Sequence, residues 1–131
     1  MGLFGKMFKN TQKTIENKSP ETIWVPLTKK EDLNRLVEES ETRLIAIFKH
    51  STRCGISRMT LKRFEKEFEF SEDQVKLYFL DLLKFRELSQ EIASRFGVAH
   101  ESPQIIVVKG EKVMHHASHA GISAQDLEQF V

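Results

Sequence analysis

Arg43-Leu44-Ile45-Ala46-Ile47-Phe48-Lys49-His50-Ser51-Thr52-Arg53-Cys54-Gly55-Ile56-Ser57 is the stretch on which the reading of this chain turns. Leu44 to Phe48 is a near-continuous apolar run, the pattern of a strand covered on both faces. Ser51 to Arg53 form a short polar turn, and a helical pattern begins at Cys54, the chain's only cysteine. A thiol at the first turn of a helix faces free backbone N–H groups and the positive end of the helix dipole. Both favour thiolate over thiol, and the thiolate is the nucleophile in thiol–disulfide exchange. Lys49, His50, Arg53 and Arg58 add positive charge or a titratable ring nearby.

Working outward, Ile23 to Pro26 reads as a short strand, with Pro26 marking its edge or end. Thr28 is the expected N-cap of a helix from about Lys29 to Ser40, with Leu33, Leu36 and Val37 on one face. The helix that starts at Cys54 runs to about Phe68, and Ile56, Met59, Phe64 and Phe68 keep helical spacing, with the stem of Arg63 as a weak member. Val75 to Leu82 is a third strand. Phe85, Leu88, Ile92 and Phe96 mark the next helix, with Gly97 as its C-terminal cap. Ile105–Val108 and Val113–His116 flank the turn Lys109-Gly110-Glu111-Lys112 and read as a hairpin. Ser123 caps a last helix through Leu127 and Phe130. The phenylalanines Phe48, Phe64, Phe68, Phe79, Phe85 and Phe96 read as core. Strands alternating with helices and ending in a hairpin predict an α/β fold with a mixed central sheet of four to five strands and helices on both faces.

Composition narrows the function classes. A chain of 131 residues fits one domain with a real core. Twenty basic against 19 acidic residues, a net charge of +1, give no drive toward nucleic acid or anionic membranes. A single cysteine excludes an internal disulfide framework and fits a reducing cytoplasm. No apolar stretch is long enough for membrane insertion. Residues 1–21 read as a leader segment ahead of a domain at 22–131. Leu3, Phe4, Met7 and Phe8 alternate there with lysines, and Lys6 stands where a myristoylation signal has Ser or Thr. His115, His116 and His119 invite a metal reading, but neighbours on a strand point to opposite faces, so no metal site is expected.

Three features carry a family resemblance: Cys54-Gly55-Ile56-Ser57 after a buried strand, Ser102-Pro103 just before another, and the hairpin that follows. Over about residues 22–131 the chain resembles a thioredoxin-fold protein. Thr52-Arg53-Cys54-Gly55-Ile56-Ser57, Glu101-Ser102-Pro103-Gln104 and Ala120-Gly121-Ile122-Ser123 resemble, more narrowly, the monothiol bacilliredoxins of the bacillithiol system. That family more often has Pro where Gly55 stands. Dithiol thioredoxins have a second cysteine where this chain has Ser57, and a buried carboxylate where it has Phe48.

The resemblance implies that Cys54 removes bacillithiol, or a similar low-molecular-weight thiol, from mixed disulfides on client proteins. Bacillithiol is then a co-substrate, no cofactor is tightly bound, and a second small thiol regenerates the enzyme. Ser57, one turn on, has a hydroxyl able to reach back to the thiolate. Thr52, Arg53, Gly55, Ile56, Ser102 and Pro103 are the implied substrate-binding residues, with a cis bond before Pro103. Arg53 and Arg58 are candidates for contact with the malate carboxylates of bacillithiol. Two other readings stand beside this one. Cys-Gly-Ile-Ser is one residue from the Cys-Gly-Phe-Ser of monothiol glutaredoxins, which share an iron–sulfur cluster between subunits, although their Gly-Gly-x-Asp-like segment is missing here. The fold also suits an interaction protein with a silent cysteine. Visible absorbance separates the first of these from the oxidoreductase, and thiol reactivity at neutral pH separates the second.

Overall fold

The computed structural model describes residues 23–131. The expected leader at 1–21 lies outside the described residues. In chain order the elements are β1 (Trp24–Pro26), α1 (Lys30–Glu39), β2 (Leu44–His50), α2 (Gly55–Glu67), β3 (Val75–Asp81), α3 (Arg86–Phe96), β4 (Gln104–Lys109) and β5 (Lys112–Ser118), followed by two 3₁₀ segments, His119–Gly121 and Ala124–Phe130. Among the described residues the sheet has five strands in the order β1-β3-β2-β4-β5. β1 and β2 run parallel to β3, while β4 runs antiparallel to both β2 and β5. This is the mixed α/β sheet that the pattern of strands and helices predicts.

β2 is the central strand, and all seven of its residues are buried. Its alternation sorts two cores. Ile45 and Ile47 face Leu33 and Leu36 of α1 and Leu88 and Ile92 of α3. Leu44, Ala46 and Phe48 face Phe64 of α2 and Ile122, Ala124 and Leu127 near the C-terminus. Helices therefore cover both faces, and a lysine or histidine at the end of β2 has to be buried with the strand.

Local signals explain most boundaries. Gly97 ends α3 with φ 66°, a left-handed conformation that costs other residues a steric clash with Cβ. Lys109 pairs with Lys112, and the two turn residues Gly110 and Glu111 both have positive φ, as a tight hairpin turn matched to the strand twist requires. Ser123 Oγ accepts the Gln125 N–H, but the segment it caps is a 3₁₀ helix.

Two expectations are corrected. The N-cap of α1 is Lys29, not Thr28. The Asp32 carboxylate reaches back to accept the Thr28 N–H (3.0 Å), the Lys29 N–H (3.3 Å) and the Thr28 hydroxyl (3.1 Å), so the acid inside the helix satisfies donors at the helix start. The larger correction concerns α2. Ile56 and Met59 are 61% and 72% exposed, and the inward face is Ser57, Thr60 and Phe64. The apolar spacing holds at Phe64 and Phe68 and fails in the first turns, where two small polar residues pack inward instead.

Candidate active site

Cys54 is the N-cap of α2, in extended conformation (φ −104°, ψ 120°) and partly exposed. Its N–H donates to the Ser51 carbonyl at 3.2 Å, and its carbonyl accepts the Arg58 N–H at 3.1 Å. The turn is thus pinned on both sides of the sulfur-bearing residue. Thr52 and Arg53 are exposed, and the Thr52 carbonyl accepts Arg58 Nη1 at 3.1 Å. Gly55 opens the helix, and Ile56 and Met59 form an exposed apolar rim next to it.

Beneath this turn lies a polar pair that chain order conceals. His50, at the end of β2, is 4% exposed, and its ring packs 5.4 Å from Phe79 and 6.5 Å from Phe48. Its Nδ1 lies 2.7 Å from Ser57 Oγ, and the same Oγ accepts the Ser51 N–H at 3.2 Å. Ser57 therefore turns inward. Among the described residues its hydroxyl bonds to His50 and Ser51, and no bond to Cys54 Sγ is present. Burial holds the His50 pKa below the usual histidine value, with Asp81 opposing and Arg58 reinforcing the shift. The imidazole also walls a groove of about 570 Å³ with Trp24, Phe79, Arg58, Leu61 and Glu65.

Lys49 points to the other face of the sheet. It is wholly buried, and its Nζ lies 3.4 Å from the Ser89 carbonyl and 3.3 Å from His100 Nδ1. Among the described residues it forms no ion pair. Burial lowers its pKa to about 8. His100 is lowered as well, by desolvation and by the lysine charge beside it.

The loop that holds His100 returns to the site. Lys49 is in register with Gln104, the first residue of β4, so the turn after β2 and the loop before β4 lie at the same end of the sheet. The peptide bond between Ser102 and Pro103 is cis. Gln104 is buried and ties this loop back on itself, donating from Nε2 to the Ala99 carbonyl at 3.0 Å and accepting the Glu101 N–H at 3.3 Å. The Pro103 carbonyl accepts the His119 N–H at 3.0 Å. Ser102 Oγ is buried with no hydrogen-bond partner among the described residues.

His115 and His116 pair with Val107 and Ile106 and alternate across β5. His115 sits 3.5 Å from Asp126, while His116 is exposed. Among the described residues, no three His, Cys, Asp or Glu side chains are grouped as metal ligands.

With this geometry in view, the comparisons with known proteins are specific. The family model of the monothiol bacilliredoxin BrxC matches residues 25–127, a span that contains Cys54, Ser57 and Pro103. The chain belongs to the monothiol bacilliredoxin family. Among solved structures it is similar to a candidate oxidoreductase with a thioredoxin fold, at 27% identity over 86% of this chain and 97% of that one, with a TM-score of 0.73. It shares its fold with thioredoxin from Malassezia sympodialis (17% identity, 82% and 85% coverage, TM-score 0.63). The same holds for Fasciola hepatica thioredoxin (23% identity, 79% and 92% coverage, TM-score 0.57). Family and neighbours make this bacilliredoxin a thiol oxidoreductase on a thioredoxin-like scaffold. No helix among its described residues is long and apolar enough to cross a membrane.

The candidate site residues Thr52, Arg53, Cys54, Gly55, Ile56 and Ser57 share one turn and the start of one helix, and Ser102 and Pro103 lie at the same end of the sheet. Residue reading left the orientation of His50 open, counted Lys49 as a charge beside Cys54 where the structure buries it against Ser89 and His100, and gave no role to His100. One signal was available: a lysine and a histidine closing a strand otherwise apolar on both faces need polar partners.

Proposed function

We propose that this chain removes bacillithiol, or a low-molecular-weight thiol like it, from mixed disulfides on client proteins, by a monothiol route through Cys54. The observation that carries the reading is the placement of the chain's only cysteine as a partly exposed N-cap at the start of α2. The residue where a resolving thiol would stand, Ser57, is buried and engaged elsewhere. Membership of the monothiol bacilliredoxin family supports the choice of thiol.

The Cys54 thiolate attacks the bacillithiol sulfur of the mixed disulfide. A Cys54–bacillithiol disulfide forms as the client disulfide breaks, and the client thiolate leaves and takes a proton from water. The helix N-terminus favours the negative charge on the attacking sulfur. Thr52, Arg53, Gly55 and Ile56 lie next to the nucleophile in the chain, and the cis Pro103 holds the Ser102 backbone open for an extended substrate to pair with. A second small thiol then attacks the adduct, releasing a disulfide of the two small thiols and free Cys54. No net oxidant or reductant beyond that thiol is needed.

The test is a single-turnover reaction of the protein with a bacillithiolated client and no added thiol. The expected result is one client thiol released per Cys54 and a mass gain of one bacillithiol on the enzyme. Cys54→Ser abolishes both. Repeated turnover without an external thiol, or activity retained in Cys54→Ser, overturns the monothiol mechanism.

A further inference from the structure

We infer that His50 is a positioning residue for the nucleophile and acts through Ser57. Three short contacts tie together the three segments that meet at Cys54. His50 is the last residue of β2, Ser51 opens the turn, and Ser57 lies in the first turn of α2. His50 Nδ1 lies 2.7 Å from Ser57 Oγ, and Ser57 Oγ accepts the Ser51 N–H at 3.2 Å. Ser51 in turn accepts the Cys54 N–H through its carbonyl at 3.2 Å. The chain of bonds therefore runs from the central strand through one hydroxyl to the backbone of the cysteine itself.

The design suits a serine at this position better than an alanine or a cysteine. A hydroxyl oxygen accepts from the Ser51 N–H and still shares a proton with an imidazole nitrogen. Whichever of Oγ and Nδ1 carries that proton, the bond forms. Both partners are buried, His50 at 4% exposure and Ser57 at 0%, so water does not replace a lost partner cheaply. The ring is fixed in turn by Phe48 and Phe79. A cysteine that attacks a disulfide needs its sulfur presented from a fixed backbone, and a turn free to fray loses that alignment. Ser57 here is a strut, and His50 is the wall it stands against.

Iodoacetamide alkylation of Cys54 at neutral pH tests this independently of the natural substrate, with thermal unfolding run on each variant. His50→Phe keeps a ring against Phe79 and removes the nitrogen, and Ser57→Ala removes the hydroxyl. Each is expected to slow alkylation about fivefold to tenfold, and the double variant should be no slower than the slower single, because both cut the same link. His50→Asn, whose amide takes the place of Nδ1, should restore the rate to within about twofold. Multiplying effects in the double variant, an unaltered rate in His50→Phe, or His50→Asn as slow as His50→Phe each overturns the inference. If His50→Phe does not fold, Ser57→Ala and His50→Asn still decide: a wild-type rate in the first, or a tenfold loss in a folded second, is fatal. The inference rests on Cys54 as the working nucleophile, not on the identity of the thiol. A protein alkylated as described but inert toward a bacillithiolated client would sink the proposed function and leave this inference standing.

Discussion

Lys49 and His50 are neighbours in sequence and opposites in environment. His50 Nδ1 meets a hydroxyl at 2.7 Å within an aromatic wall. Lys49 meets a carbonyl at 3.4 Å and an imidazole at 3.3 Å, with no carboxylate pairing it among the described residues. One residue braces the turn of Cys54. The other lies under the loop that leads to Pro103. The strand's alternation sends a polar group to each half of the site, and the two halves bear different costs. The His50 side is a closed hydrogen-bonded unit, whereas the Lys49 side carries a desolvated cation.

The strongest way to probe that contrast is to open the wall behind His50. Phe48 is fully buried, with Trp24 and Phe64 rings at 5.7 and 5.8 Å. Phe48→Ala should cost about 3–5 kcal/mol in urea unfolding. Ile47→Val, on the Lys49 face of the same strand, should cost about 0.5–1.5 kcal/mol. A Phe48→Ala cost no larger than that of Ile47→Val would show that the aromatic wall behind His50 is loosely packed.

Lys49→Met asks whether the cation is a burden. Methionine fills a similar shape without charge, and a stabilisation of about 1–3 kcal/mol is expected at pH 7. The ordinary lysine value is 10.5, and burial lowers Lys49 to about 8. Between these pH values the unfolded chain holds a proton that the folded chain has released, so wild-type stability rises across this window. The advantage of Lys49→Met should therefore be full below about pH 8 and fade by about 10.5. Unfolding curves at pH 7, 9 and 10.5 check this, and a constant difference between the two proteins would refute it.

Gln104→Leu tests the loop on the Lys49 side. It removes the bonds to the Ala99 carbonyl and the Glu101 N–H. About 1–3 kcal/mol of stability should go with them. In single-turnover kinetics the loss should fall on substrate binding, with the saturated rate close to wild type. A fall in the saturated rate alone would place the loop's role elsewhere.

The smallest effect belongs to the His50 side. Its pKa lies below the usual 6.5, so on acidification the unfolded chain gains a proton at this position before the folded chain does, and stability falls. His50→Asn lacks that group and should lose less stability as the pH drops through 6.5. His100 shifts in the same direction but is present in both proteins, so it cancels from the comparison. Parallel acid-unfolding profiles would show that His50 titrates alike in both states.

The order of strands and helices, the buried run of β2, the thiol at a helix start, the Gly97 cap and the hairpin turn were all legible in the residues. Each depends on neighbours a few positions apart, where local sterics and apolar spacing act. The phase of α2 was not legible. Spacing favoured Ile56 and Met59 as buried, but Ser57 finds a polar partner in His50 of the sheet and turns inward, with Thr60 on the same face. The partner of Ser57 lies seven residues back and that of Lys49 lies 51 residues on. Periodicity carries no information about such pairs. Local pattern places a helix, but which of its residues pack inward and which partners they meet across the sheet depend on strand order and register, which only the packed chain sets. The sequence by itself determined that this protein carries one thiol on a thioredoxin-like scaffold. Tertiary structure alone decided that the serine beside it braces the turn and that a lysine lies beneath the neighbouring loop, because buried polar groups take whatever partners the fold brings within reach.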